Sequence, residues 1–156
     1  MLTSLRELAP RLPEWLEGCP DLRDLDIHLR RLVESALYEA CTNVLEHGFR
    51  GAPHSRIDLW WLPAAAHGPT GSGALNQRLR DGCFVMLDHA PPFDPTRPAR
   101  PDLMDRGVRR RGRGLGLQMI HRIMAEVTYR GHPSEGNVTV LRFDPDRMTR
   151  PEVHHG

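Results

Sequence analysis

Three groups of residues in this 156-residue chain have types and spacings that could do chemistry. Glu39, Asn43 and His47 recur at every fourth position of ESALYEACTNVLEHGFRG. On a helix, that spacing stacks a carboxylate, an amide and an imidazole along one ridge. Asp88 closes the apolar run CFVMLD and opens DHAPPFDP. Gly112, Gly114 and Gly116 alternate with Arg111, Arg113 and Leu115 just ahead of an amphipathic stretch. Each group taken singly has an ordinary reading beside the functional one. A polar ridge can be a solvated helix edge, an aspartate at a strand end a turn residue, and a G-x-G a tight turn. The functional alternative is a site walled by the ridge, with the glycine run holding an anion.

The elements that must position these residues can be traced along the chain. Val33, Leu37, Ala40, Cys41, Val44 and Gly48 form an apolar face beside the ridge, which predicts a long helix seated on a core. Asp21 or Asp24 is a plausible N-cap for that helix, which would reach to about Gly48. Ahead of it, Pro13 could open a short helix through Glu17, while residues 2–9 could be helix or edge strand. Arg56–Leu62 (RIDLWWL) is predicted as a strand, and Cys83–Asp88 as a central strand buried on both faces. Leu117, Ile120, Ile123 and Met124 give a second helical stripe. Val127–Tyr129 and Asn137–Phe143 are predicted as two antiparallel strands. Residues 63–81, rich in Gly and Pro, are predicted as a flexible insertion, and 89–113 as a long loop.

Composition narrows the function classes. All 21 basic residues are arginine, so there is no lysine for a Walker-type phosphate loop or a Schiff base. The formal net charge of +1 argues against a general nucleic-acid or membrane-surface binder. No apolar run approaches the roughly 20 residues of a membrane span, and no signal peptide is evident. Cys19, Cys41 and Cys83 are odd in number and widely spaced, which suits reduced core thiols. The expected setting is therefore cytoplasmic, and the expected organisation a single domain with its core at about 21–143.

The order of the motifs adds what each lacks alone. From about Leu32 to Phe143 the chain resembles the GHKL, or Bergerat-type, ATP-binding domain, and within it the anti-sigma-factor serine/threonine kinase branch. LVESALYEACTNVLEHGFRG resembles that branch's N-box helix, DHAPPFDP its adenine-binding turn, and GRGLGLQMIHRIMAEVTYR its glycine box and following helix. The resemblance implies an α/β fold, a two-layer sandwich of a mixed, mainly antiparallel sheet with helices on one face. It also implies ATP and Mg²⁺, with residues 89–113 as the ATP lid. Asn43 would then offer its amide oxygen to Mg²⁺, and Glu39 would take the proton of an incoming hydroxyl as general base. Asp88 would accept a hydrogen bond from the adenine amino group. Gly112, Gly114 and Gly116, with Leu115 between them, would present backbone N–H groups to phosphate. Arg111 and Arg113 would stabilise charge on the transferring phosphoryl group. His47 would contact phosphate or solvent, and Thr139 would lie near the adenine.

The branch implies an ATP-dependent kinase that works by partner switching. It would phosphorylate a small anti-sigma factor antagonist and, in another state, hold a sigma factor or equivalent regulator, possibly as a homodimer. One departure stands out: the family's adenine turn usually has glycine where this chain has Ala90. A methyl there would cost close backbone approach if the position needed positive φ or tight contact. The alternative function is therefore a non-catalytic, weakly nucleotide-binding module that sequesters its regulator.

Overall fold

A computed structural model describes residues 5–50, 52, 55–63, 79–92, 94–96 and 115–149. Helices α1 (Leu5–Gly18), α2 (Pro20–Arg23) and α3 (Ile27–Asn43) come first, and a π-helical turn, Val44–Gly48, extends α3. Strands β1 (Ile57–Leu62) and β2 (Cys83–Asp88) follow, then α4 (Leu115–Ile123), β3 (Glu126–His132), β4 (Gly136–Arg142) and α5 (Pro145–Thr149). The four strands form one sheet in the order β1-β2-β4-β3, and every described pair is antiparallel. This is the expected two-layer α/β sandwich.

Side-chain alternation divides the sheet into two faces. Phe84, Met86 and Asp88 on β2 and Asn137, Thr139 and Leu141 on β4 are buried on the inner face. Helices cover this face. Cys41 of α3 has its sulfur 3.9 Å from that of Met86, and Trp15 of α1 lies 6.3 Å, ring to ring, from Phe84. On the outer face Trp60 and Leu62 are 43% and 50% exposed, and Cys83, Val85 and Leu87 are only half-buried. β2 is therefore fully covered on one side only, not on both as its unbroken apolar run predicts.

Helix α1 runs through both Pro10 and Pro13 instead of starting at the second. Each internal proline forfeits a backbone hydrogen bond and costs about 3 kcal/mol. Leu8, Leu12 and Leu16 are at most 1% exposed, and full burial of such a side chain contributes roughly 1.5–3 kcal/mol. Burial of the three leucines, with Trp15 packed on the same cluster, offsets the local penalty. The start of α3 also differs from expectation. Asp24 is the C-cap of α2, and the N-cap is Asp26, whose Oδ1 accepts from the backbone N–H of His28 at 2.8 Å and Leu29 at 3.4 Å. Among the described residues no helix is long and apolar enough to cross a membrane.

Candidate functional site

Glu39 and Asn43 project one turn apart from α3 towards the N-terminal end of α4. The two elements touch so closely that a Cβ on Gly116 would collide with Glu39 Oε2 and lie 3.9 Å from Asn43 Nδ2. Glycine is therefore required at 116 for the Glu39 carboxylate to sit against the first turn of α4. The start of a helix carries unsatisfied backbone N–H groups and the positive end of the helix dipole. Asn43 Nδ2 is buried with no hydrogen-bond partner among the described residues. An orphaned amide in a folded interior costs about 1–3 kcal/mol, and such atoms concentrate where a ligand completes the set.

The expected ridge of three ends at Asn43. Beyond it the chain winds as a π-helix, with Phe49 N–H bonded to Val44 C=O at 2.8 Å, five residues back. The wider turn shifts the register by one residue. Gly48 faces the interior and His47 is exposed, outside the cleft that Asn43 lines.

That cleft runs from Asn43 to Asp88, between α3, α4 and the inner sheet face. Val44 and Gly48 wall one side, Leu117 and Ile120 another, and Thr139 and Leu141 the floor. Thr139 lies opposite Met86 on β2, on the same face as Asp88. His121 Nε2 is 2.8 Å from the carbonyl oxygen of Pro95, which holds the turn after β2 against α4.

Asp88 is only 3% exposed. Its Oδ1 accepts from Ala90 N–H at 2.9 Å and from Asn137 Nδ2 at 2.8 Å, which leaves Oδ2 with no bond among the described residues. Asn137 Nδ2 also donates to Ala90 C=O at 2.8 Å, and Tyr129 Oη donates to Asn137 Oδ1 at 2.9 Å. Ala90 is buried and does not adopt positive φ; among described non-glycine residues only Arg50 does. Its methyl points at Gly48, where a second Cβ would stand 2.7 Å away. The Ala90 methyl thus occupies space left by a glycine on the facing helix.

A carboxylate and an amide at a helix N-terminus, joined by an apolar cleft to a second buried carboxylate, suit a ligand with an anionic end and a flat polar end. A family model described as "Histidine kinase-like ATPase domain" matches residues 2–143. The chain belongs to that family. Comparison with curated proteins and with solved structures yields no significant match. A histidine kinase-like ATPase domain binds ATP.

The structure brings Glu39, Asn43, Asp88, Ala90, Gly116 and Thr139 to this part of the ATPase domain. Arg111, Gly112, Arg113 and Gly114 lie outside the described residues, as does the side chain of Leu115. Residues 64–78, most of the expected insertion, lie outside them too. Asn137 and Tyr129 are the members that motif reading misses. The one available signal is that Asn137 stands two residues before Thr139, on the same face of the strand.

Proposed function

We propose that this ATPase domain is an anti-sigma-type serine/threonine protein kinase that transfers the γ-phosphoryl group of Mg·ATP to a small antagonist protein. The observation that carries this is the Glu39 carboxylate set against α4 beside Asn43, whose buried Nδ2 has no partner among the described residues and could donate to a phosphate oxygen. Asn43 would hold Mg²⁺ through its amide oxygen, the hard donor that this cation takes. Among the described residues no three His, Cys, Asp or Glu side chains cluster as a metal cage. One amide ligand fits a cation that keeps phosphate and water as its other ligands. A bound Mg²⁺ would supply neutralisation of the phosphate charge.

Glu39, one turn from Asn43, would accept the proton of the attacking serine or threonine hydroxyl. Asp88 would take the adenine amino group through Oδ2, which has no bond among the described residues. A phosphate added to the antagonist places about two negative charges at its contact surface and separates it from the kinase. The antagonist, the regulator held in the other state and a homodimeric assembly are proposals that rest on the branch resemblance. The non-catalytic alternative rested on Ala90, and the fit of its methyl against Gly48 favours the nucleotide-binding reading over it.

Incubation with radiolabelled ATP and single-domain antagonist candidates tests the proposal. Glu39→Ala should lower phosphotransfer by about 10²-fold or more while ATP affinity stays within a few-fold. Asn43→Ala should lower both, and its loss of ATP affinity should shrink when Mg²⁺ is omitted. Undiminished transfer by Glu39→Ala would remove Glu39 as the base.

A further inference from the structure

We propose that Tyr129 and Asn137 are positioning residues that turn the Asp88 carboxylate into a reader of 6-amino purines, setting the site against 6-oxo purines. The inference rests on the nucleotide-binding reading and adds two residues to it. An amide offers two hydrogens on one end and an acceptor oxygen on the other. In Asn137 all three are engaged: the hydrogens by Asp88 Oδ1 and Ala90 C=O, the oxygen by the Tyr129 hydroxyl.

The Asp88 carboxylate and the Ala90 carbonyl, which can only accept, decide which way the amide faces, and the Tyr129 hydroxyl holds its far end in place. Turned end for end, Asn137 would set its oxygen against Asp88 Oδ1 and against a carbonyl, two acceptor–acceptor contacts in a buried place. With the amide fixed, Asp88 Oδ1 is held inward and Oδ2 is the oxygen left for the cleft. A carboxylate oxygen in that position accepts from a 6-amino group and repels a 6-oxo group. The chain has made room for this arrangement. Gly131 lies opposite Asn137 on β3, and a Cβ there would stand 2.6 Å from the Tyr129 hydroxyl and 3.1 Å from Asn137 Oδ1. A Cβ there would force the Tyr129 hydroxyl to shift, so the missing side chain at 131 leaves the Tyr129–Asn137 bond undisturbed.

The test is calorimetric titration of the full chain with Mg·ATP and with Mg·ITP, whose base carries a 6-oxo group in place of the amino group. Wild type should bind ATP more tightly by on the order of tenfold or more, the consequence of facing a buried acceptor with an acceptor. Tyr129→Phe removes one hydroxyl and should cut the ATP-to-ITP ratio by about fivefold, the worth of one hydrogen bond. Asn137→Leu should cut it further, and Asp88→Asn should move the preference towards ITP, because an amide can donate to the oxo group. Circular dichroism and melting midpoints establish that each variant is folded, and if Asn137→Leu is not, Tyr129→Phe carries the test. A merely structural role would weaken both nucleotides equally and leave the ratio unchanged, which would overturn the inference while ATP binding stood. Wild type binding ATP and ITP alike would also overturn it, and wild type binding neither would overturn the nucleotide reading with it.

Discussion

A thiol shut away from water and from any cation holds its proton hard, and Cys41 is such a group. It neighbours the site in sequence, two residues from both Glu39 and Asn43, yet faces the core with 0% exposure. Burial pushes its pKa from 9.0 up to about 12. Above pH 9 the unfolded chain therefore sheds this proton while the folded chain keeps it. The unfolded state then binds fewer protons, so the stability contributed by Cys41 is complete below pH 9 and falls as pH rises towards 12. The slope is at most about 1.4 kcal/mol per pH unit. Denaturation midpoints between pH 8 and pH 11 should show that decline, and Cys41→Ala, weaker overall, should show a shallower one. A thiol reagent at neutral pH should leave Cys41 unmodified in the native protein. If the two proteins lose stability in parallel, the Cys41 thiol is not the group responsible.

At the scale of elements, the π-helical turn is what converts a helix face into a cleft wall. It brings Gly48 opposite Ala90, and the two positions share one methyl's worth of space. Gly48→Ala would place two methyl carbons 2.7 Å apart, an overpacking that costs about 1–3 kcal/mol. Alanine in a helical turn returns at most about 1 kcal/mol over glycine. The net effect should be destabilising and should weaken ATP binding. In an Ala90→Gly background the clash is gone, and Gly48→Ala should become neutral or stabilising. A double-mutant cycle of thermal midpoints reads that change of sign directly, and additive effects would mean that the two residues do not share the space. This pair also shows what the sequence could and could not disclose. The i, i+4 spacing of Glu39 and Asn43 was legible because an α-helix repeats it in any context. The departure at His47 was not, because a wider turn leaves no compositional mark. Strands β2 and β4 were legible from their apolar, β-branched runs, whereas Asn137 and Tyr129 acquire their partners only from the register of three strands.

For the molecule as a whole, the question is whether α1 belongs to the ATPase domain or only leans on it. Its residues precede α3, and its two prolines discourage a helix on propensity grounds. Yet Leu8, Leu12 and Leu16 lie in the same buried cluster as Leu37, Phe84 and Met86, and Trp15 packs on that cluster. Three fully buried leucines contribute roughly 5–9 kcal/mol before any part of Trp15 is added. A domain of this size has a total stability of about 5–15 kcal/mol. Removing α1 therefore takes away a share comparable to the whole margin, and it uncovers Phe84 on the inner sheet face. A chain beginning at Cys19 should lose its cooperative unfolding transition, and its tryptophan emission should shift towards that of solvent-exposed indole even at low temperature. A less drastic pair, Leu12→Ala and Leu16→Ala, should each lower stability by about 2–5 kcal/mol and leave the ATP-to-ITP preference untouched, since neither side chain lines the cleft. A shortened chain that melted sharply at the wild-type midpoint would make α1 an appendage, and the core would then have to stand on α3, α4 and the sheet alone.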